Sequence, residues 1–499
     1  MSGQDLITTD SRKKAGGDKL LELFVKDSLW YGLSTFFVNI LTLFLIKLHT
    51  AYLDSGEYGL LALIEMAKGF FFILCECGFS ASVLRYYEKY DSGQDKRRVV
   101  FTAIVFLAVT GAAFLLVSIA TAEPLATSLL GAVDDGRSLI IIAAATVVFS
   151  VFNSVLFSLM RIRSQSRRLA AILTLKTFSM LVLNAVLLAH FDMAIAGVLL
   201  ASLMAETLVC VIIAPGAIVE NYGSFDSGML KDMLGYGVPL VPHSMSKVAL
   251  SMADRFILAL FLTMPAVGLY SLGYKVASIV LSLMGPVQKA WAPFVFRAAG
   301  DRQMAGRIGF TALCYMLLIC TVGLGLSLFA REVTLLLSSG AYIDAYRIVP
   351  VVVAGFLWLA LYNIVSWEMG YTEKTSYFPL ITGVSAVVNV LLNMALIPIY
   401  GIAGAAWATL LAYAVSALMA YRISRSLIAT RYRGLYTAFS VVMVTVLGVS
   451  FIEELDISVK VLMMALWLAF SFRLIASAAE EVFSSPLGLL VKRFLGGLA

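Results

Sequence analysis

About fourteen long apolar runs constrain the fold of this chain more than any other feature of its sequence. A helix of about 20 apolar residues crosses the hydrocarbon core of a bilayer, whereas an open strand there leaves its backbone polar groups unsatisfied. Only 14% of the 499 residues are charged, against about 25% in soluble domains. We therefore predict an all-α integral membrane protein with about 14 transmembrane helices. The predicted spans are 29–48, 58–83, 99–122, 138–160, 169–191, 194–214, 233–262, 265–292, 308–330, 345–370, 377–399, 401–421, 434–451 and 457–477.

The distribution of basic residues predicts the orientation of these spans. Cytoplasmic connectors of membrane proteins are enriched in Lys and Arg. Segments on the side of the N-terminus contain 25 of the 37 basic residues, while the connectors on the other side contain only Arg137 and Arg331. We therefore predict that both termini are cytoplasmic. The same bias explains the net charge of +6 without nucleic acid as a partner.

No sequence pattern predicts catalysis, a metal ion or a cofactor. Cys75 and Cys77 are the only close pair of cysteines, and a structural zinc site needs four ligands. The five cysteines lie in apolar stretches, which is typical of small apolar residues that pack helices. The sequence also lacks the Gly-x-x-x-x-Gly-Lys-[Ser/Thr] motif of ATP-binding loops. We expect a protein that is not an enzyme and has no cofactor, with binding of H⁺ or Na⁺ left open.

Four short matches between the two halves predict an internal repeat. They recur at offsets of 205 to 210 residues and pair spans 1–6 with spans 7–12. Because six is even, both copies run in the same direction, as in transporters built from parallel repeats. Two six-helix lobes around a central cavity, with alternating access, are therefore expected. The matched segments are 27–32 with 232–237, 59–63 with 268–272, 152–155 with 362–365, and 195–203 with 402–410.

Spans 13 and 14 have no partner in this repeat and indicate an addition to the two lobes. The predicted organisation is a basic cytoplasmic segment at 1–28, an N-lobe at 29–214, a C-lobe at 233–425, the two extra spans at 434–477 and a cytoplasmic tail at 478–499.

Ionisable residues inside the predicted spans are the candidate functional residues. Each costs about 2.5–3.5 kcal/mol near the bilayer centre, so such groups usually face a cavity or a partner. Helical periodicity places His243, Lys247 and Asp254 on one face of span 7, and Lys275 lies on a polar stripe of span 8. The bases are Lys47, Lys68, Lys176, Lys247, Arg255 and Lys275; the acids are Glu65, Glu76, Glu206, Asp254 and Glu368.

Other interpretations stay open for several of these residues. Glu65 and Lys68 are three residues apart, so they can neutralise each other. Lys47 and Arg255 lie near span ends, from which a long side chain can reach the lipid headgroups. Arg255 also follows Asp254 directly, so these two residues can form a structural charge pair.

Two segments of the sequence carry a resemblance to a known family. Residues 236–280 contain Gly237-x-Pro239, Asp254-Arg255 and a Val-Gly-Leu-Tyr-Ser segment that ends at Ser271. Residues 389–413 combine an Asn-rich helix with Pro-x-Tyr-Gly-Ile-x-Gly-Ala-Ala. These segments resemble the polysaccharide and O-antigen flippases of the multidrug/oligosaccharidyl-lipid/polysaccharide exporter superfamily, and the resemblance extends over the whole chain.

The resemblance implies a flippase that moves undecaprenyl-pyrophosphate-linked oligosaccharide repeat units across the bacterial inner membrane by alternating access. A polysaccharide polymerase and a chain-length regulator are the partners it implies. Lysine binds phosphate as a point charge, so the basic residues fit the pyrophosphate. The candidates for this cationic cavity are Lys47, Lys68, Lys247, Arg255 and Lys275. The candidates for ion coupling are Asp254, Glu206, Glu368 and His243, although Glu206 and Glu368 fit equally well as packing partners of a lysine.

Three other functions stay open. A drug or cation antiporter of the same superfamily would favour a cavity dominated by acids, and the deep bases here slightly outnumber the acids. A flippase for the peptidoglycan precursor lipid II also has fourteen spans, but residues 236–280 fit the polysaccharide branch better. A membrane-bound glycan polymerase or ligase would have long outer loops, and the predicted outer loops are short.

Overall fold

A computed structural model describes residues 30, 32–131, 133, 135–298, 302–428, 432, 434–452 and 455–482. Within these residues the secondary structure is helical and contains no strand, so the predicted all-α class is confirmed. The predicted cytoplasmic segment 1–28 and most of the predicted tail 478–499 lie outside the described residues.

The helices up to residue 261 begin and end as follows. They are α1 (Gly32–Tyr52), α2 (Ser55–Glu76), α3 (Phe79–Lys89), α4 (Gly93–Ala120), α5 (Ala122–Leu130), α6 (Gly136–Ile162), α7 (Ser166–Ala189), α8 (Ala194–Glu220), α9 (Ser227–Gly237) and α10 (Val241–Phe261), with a 3₁₀ turn at Val238–Leu240.

The elements after residue 261 also include both long and short helices. They are α11 (Met264–Ala277), α12 (Ile279–Ala298), α13 (Arg302–Leu328), α14 (Ala330–Leu337), a 3₁₀ helix (Gly340–Ile348), α15 (Val349–Val365), α16 (Trp367–Tyr371), α17 (Tyr377–Leu427), α18 (Leu435–Val449) and α19 (Ile457–Val482).

The predicted joints between closely spaced spans lie at breaks in the helices. Asp192 separates α7 from α8 with a φ of 51°. Pro265 lies in the first turn of α11, where its missing N–H has no helical partner to lose. Gly401 divides the 51-residue run α17 with a φ of 59°, a left-handed conformation that glycine adopts without steric cost. The run therefore consists of two helices that meet at Gly401.

Nine helices of the described residues are long and apolar enough to cross a membrane, and the bent pair α11 and α12 adds a tenth. The α17 run is one of the nine and covers two predicted spans. The predicted spans 2 and 7 correspond to α2 and α10, which carry several charged side chains, and span 13 corresponds to the 15-residue α18. The multi-pass membrane architecture is confirmed, while the exact number of fourteen spans stays a prediction.

The chain folds as two compact units. The first comprises the described residues up to Leu48 together with Phe71–Pro239. Its core includes Val100, Leu156, Leu169 and Val209 from α4, α6, α7 and α8. Because lipid tails are as apolar as these side chains, such helices associate mainly through close packing.

The second unit comprises His49–Phe70 and the described residues from Leu240 onward. Its central helix is α15, where most side chains are buried. Gly355 of this helix lies so close to α17 that an added Cβ would be 3.2 Å from Leu410 Cα. Small residues permit this close approach of helix backbones. The first part of α2 thus groups with the second unit, and the predicted lobe boundaries stay a prediction.

Candidate functional site

The helices α2 and α11 cross in the second unit at two glycines that the repeat pairs with each other. A Cβ added to Gly59 would lie 2.2 Å from Met264 O, and one added to Gly268 would lie 1.9 Å from Ser55 O. Any larger side chain at either position would therefore collide with backbone. The backbones of α2 and α11 are therefore in contact at this crossing, and the polar residues of the two helices lie on adjacent helices.

A reciprocal cap fixes the start of α2 beside this crossing. Asp54 N donates to Glu57 Oε2 at 2.9 Å, and Glu57 N donates to Asp54 Oδ1 at 2.8 Å. Such a capping box satisfies two backbone donors that the first turn of a helix leaves unpaired. These two hydrogen bonds therefore fix the residue at which α2 begins.

Lys275 of α11 faces the polar side of α2. Its Nζ lies 5.9 Å from the ring centroid of Tyr58, within the range of a cation–π contact, and the lysine interacts electrostatically with Glu65. Glu65 itself accepts a 2.8 Å hydrogen bond from Lys68 Nζ. Glu65 and Lys68 therefore neutralise each other, and Lys275 contributes the surplus charge.

The helix α10 contributes a second base that the solvent or lipid can reach. Lys247 is exposed and lies one turn after His243, whose Nδ1 is 3.0 Å from Thr382 Oγ1. Ser251 Oγ, one turn further on, donates to Lys247 O at 3.0 Å. The polar face predicted for this helix is present between His243 and Ser251.

Asp254 and Arg255 form a buried ion pair at the end of that face. Arg255 Nη1 donates to Asp254 Oδ1 at 2.8 Å, and the two residues are 8% and 1% exposed respectively. Tyr270 Oη also donates to Asp254, and the guanidinium lies 4.4 Å from the ring centroid of Tyr274. Arg255 is thus enclosed by an acid and two aromatic rings. Its predicted contact with substrate stays a prediction.

Because Asp254 neutralises Arg255, the charged residues of α10 and α11 are left with a positive surplus. In the part of the chain that the structure describes, no carboxylate oxygen lies within 4.0 Å of the Nζ of Lys247 or of Lys275. Two lysines on these helices therefore lack a close counter-ion. An anion beside either lysine would offset part of the cost of placing its charge in the membrane.

Glu206 lies in the first unit and has a lysine partner. Lys176 Nζ donates to Glu206 Oε1 at 2.5 Å, Ser150 Oγ donates to the same oxygen at 2.7 Å, and Asn153 Nδ2 donates to Oε2 at 2.8 Å. Glu206 is 6% exposed. The sequence left two roles open for Glu206, ion coupling or contact with a lysine, and the structure shows a contact with Lys176. Ser150 and Asn153 gave no sequence signal except that Asn153 lies in a repeat match.

Lys47 and Glu368 belong to two other helices, α1 and α16. Lys47 is exposed on the last turns of α1. Glu368 is 1% exposed on the short α16, where Tyr432 Oη donates to its Oε1 at 3.5 Å and Trp367 Nε1 donates to Tyr432 Oη at 2.8 Å. Across the described ranges, no group of three or more His, Cys, Asp and Glu side chains is arranged to hold a metal ion.

Comparisons with known proteins agree with this architecture. Residues 52–347 match the model of a family described as polysaccharide biosynthesis protein. The probable low-salt glycan biosynthesis flippase Agl15 of Haloferax volcanii is 23% identical over 224 residues, which are 44% of this chain and 48% of that protein. The match thus spans about half the length of this curated relative.

Two solved structures show the same fold. The lipid II flippase MurJ in an inward closed conformation aligns with a TM-score of 0.69 at 13% identity, over 91% of this chain and 98% of that one. An inward-facing multidrug resistance transporter of the MATE family and MOP superfamily aligns with a TM-score of 0.67 at 14% identity, over 80% and 96%. At these identities the likeness establishes the fold alone.

Proposed function

Because the chain belongs to the polysaccharide biosynthesis protein family, we propose that it is a flippase that translocates lipid-linked glycans across the membrane. A glycan headgroup needs a hydrated path, and its phosphate groups need cations along that path, while the lipid tail stays in the bilayer. The glycan biosynthesis flippase of Haloferax volcanii and the lipid II flippase MurJ, which are similar to this chain, support this class of activity. The protein moves its substrate and does not transform it chemically.

One observation carries the proposal, namely the positive surplus on α10 and α11. Lys247 and Lys275 lack a carboxylate within 4.0 Å among the described side chains, whereas the neighbouring Asp254–Arg255 and Glu65–Lys68 pairs are neutral. Two lysines that need an anion match a pyrophosphate group, because an ammonium binds phosphate as a point charge. We assign the pyrophosphate to Lys247 and Lys275, with Lys68 and Arg255 of the same unit as further bases, and we keep Lys47 as a separate candidate for the substrate path.

We further propose that the substrate is an undecaprenyl-pyrophosphate-linked oligosaccharide and that the protein acts in the bacterial inner membrane with both termini in the cytoplasm. The product then supplies a polysaccharide polymerase and its chain-length regulator on the outer side. An alkaline phosphatase fused after Ala499 should be inactive, because that enzyme folds only outside the cytoplasm. An active fusion would overturn this orientation.

Coupling to H⁺ or Na⁺ would use Asp254, Glu206, Glu368 or His243. His243 lies one turn from Lys247 on the same helix and is only partly buried, so its protonation would add charge beside the proposed phosphate site. Asp254 forms an ion pair with the buried Arg255, and Glu206 forms one with the half-buried Lys176. A proton on either acid would release that base, which is a second route to coupling.

The drug antiporter alternative is less well supported by the same residues. A cationic drug binds best where acids outnumber bases, whereas Lys247 and Lys275 give α10 and α11 the opposite sign. A lipid II flippase shares the requirement for a cationic site, so the charge alone does not distinguish it from a flippase for polysaccharide units.

The test is the distribution of lipid-linked intermediates in a deletion strain of the organism that carries this chain. A glycosidase or lectin that cannot cross the membrane reports which leaflet holds them, and mass spectrometry identifies the sugar and the carrier. We expect a complete lipid-linked glycan to accumulate on the cytoplasmic side. Accumulated lipid II would instead support the peptidoglycan alternative. Normal intermediates and surface glycan together with raised drug sensitivity would refute the proposal and support the antiporter.

A further inference from the structure

The second unit contains a cavity of ≈ 390 Å³ that none of the charged residues of α2, α10 or α11 lines. Its walls are the first turn of α14, the end of the Gly340–Ile348 helix, the start of α15, the segment after α18 and the first turn of α19. On the predicted topology these segments are outer connectors and span ends. Ligand pockets are commonly about 300–1,000 Å³, so the cavity has room for one or two sugar rings.

The cavity offers charged hydrogen-bond donors and acceptors side by side. Lys460 is 7% exposed and its Nζ donates to Glu332 Oε1 at 2.6 Å. Arg331 and Arg347 also line the cavity, and Arg347 Nε lies 3.4 Å from Asp344 Oδ1. A sugar hydroxyl both donates and accepts. A wall with ammonium, guanidinium and carboxylate groups can therefore satisfy both functions of neighbouring hydroxyls with charge-assisted hydrogen bonds.

Two aromatic side chains complete the wall. Tyr346 and Phe451 line the cavity together with Ser450, and Phe451 is 77% exposed. An aromatic ring offers a flat apolar face with a specific geometry of contact, which suits the C–H face of a sugar ring. Mixed charge disfavours a purely apolar ligand such as a lipid tail, and two of the three lining bases already have a carboxylate partner, Lys460 in Glu332 and Arg347 in Asp344. The lining fits a saccharide best.

We propose that this cavity binds a saccharide unit of the glycan headgroup on the outer side of the membrane, as an exit site separate from the Lys247 and Lys275 group. This inference rests on the proposed flippase function for the identity of the glycan. The Lys460–Glu332 pair also attaches α19 to α14, and a purely structural role for it predicts no effect on saccharide binding.

The test measures saccharide binding to the full-length protein in lipid nanodiscs. The probe is the water-soluble glycan released by mild acid from the lipid-linked glycan pool of the host. Saturation-transfer difference NMR and titration give its Kd for the wild type, for Ser450→Trp, which fills the cavity, and for Lys460→Met, which keeps the apolar stem but removes the donor. Arg137→Ala is the matched control, because Arg137 is an outer basic residue at the start of α6 and does not line the cavity. Thermal unfolding and gel filtration verify that each variant is folded.

We expect the wild type and Arg137→Ala to bind the glycan alike. Since a lost hydrogen bond to a charged group costs roughly 1.5–3 kcal/mol, binding should weaken about tenfold or more in Lys460→Met, and Ser450→Trp should abolish it. Equal Kd values in the wild type and both folded cavity variants, or no binding to the wild type, would refute the exit site.

A translocation assay separates this failure from failure of the proposed function. If Lys275→Ala stops translocation while folded cavity variants bind the glycan like the wild type, the flippase proposal stands and the exit site is refuted. If the wild type moves no glycan but the cavity variants lose saccharide binding, the cavity is supported and the flippase proposal fails.

Discussion

Lys176 and Lys275 both lie on apolar helices, but only Lys176 has a carboxylate partner within 4.0 Å among the described residues. In the first unit, Glu206 binds Lys176 and two further donors, so the charge is compensated within the protein. In the second unit, Lys275 faces the ring of Tyr58 and a carboxylate that Lys68 already binds. The difference separates a lysine that stabilises its own unit from a lysine that is available to an external anion.

The largest expected effect follows from removing the lysines of the second unit. Lys247→Ala and Lys275→Ala should each lower surface glycan about ten- to a hundredfold, because each loses a hydrogen bond to a charged group worth about 1.5–3 kcal/mol. Immunoblotting normalises the glycan signal to protein abundance. Lys231→Ala, an exposed lysine of α9, is the control and should behave as the wild type. Wild-type glycan in both alanine variants at normal abundance would contradict the assignment.

The paired lysine of the first unit should affect stability more than transport. Glu206→Ala should lower the free energy of unfolding by about 2–4 kcal/mol, because it leaves Lys176 without its partner in a largely buried position. The double variant Glu206→Leu with Lys176→Met should recover most of this loss. Thermal unfolding of the purified protein measures both.

The half-buried Asp95–Arg98 pair, at a longer 3.6 Å, is the control for this prediction. Arg98→Ala should change stability by less than about 1 kcal/mol. If Glu206→Ala unfolds at the wild-type temperature, the Lys176–Glu206 pair does not stabilise the first unit, and the proposed difference between Lys176 and Lys275 is wrong.

A smaller effect is expected at the crossing that positions Lys275. Gly268→Ala forces α11 away from Ser55 O, and overpacking of this kind costs about 1–3 kcal/mol. The variant should lower both the unfolding temperature and surface glycan, because the Lys275 side chain moves away from Tyr58. Gly383→Ala is the matched control, since nothing lies within 4 Å of the added Cβ. If Gly268→Ala and Gly383→Ala have the same unfolding temperature and surface glycan, the close contact between α2 and α11 is not needed for either stability or transport.

The smallest expected effect concerns the exposed end of the second unit. Partial burial raises the pKa of Glu332, but its hydrogen bond with Lys460 and the nearby positive charges outweigh this, so the net pKa lies below its usual 4.5. The carboxylate form is therefore favoured by folding. Its contribution to stability is present above pH 4.5 and disappears as the pH falls through the lowered pKa.

Thermal unfolding of the wild type and of Glu332→Gln as a function of pH checks this prediction. We expect the wild type to be slightly more stable at pH 7, with the two curves converging in acid. A difference that grows as the pH falls below 4.5 would have the wrong sign for a lowered pKa.

Several local features could be predicted because they depend on neighbours in the chain. Glu65 and Lys68 lie one helical turn apart, so their pairing follows from helical spacing. Asp254 and Arg255 are consecutive, so their pairing was expected from adjacency in the chain, although helical spacing alone does not turn neighbouring side chains toward each other. The break at Gly401 follows from an apolar run too long for one crossing. Contacts between distant residues were not predictable. Lys176 and Glu206 are 30 residues apart, and Lys460 and Glu332 are 128 apart, so no periodicity connects them.

The sequence alone determined the all-α membrane class and the approximate span positions, because a helix satisfies its own backbone hydrogen bonds in lipid and needs about 20 apolar residues to cross it. It also carried the family resemblance, through the residues of segments 236–280 and 389–413. The tertiary structure decided which buried charges are compensated. The repeat identified Gly59 and Gly268 as equivalent positions, but only the fold brings their backbones into contact. Compensation depends on distances of a few ångströms between side chains on different helices, and helix packing alone sets those distances.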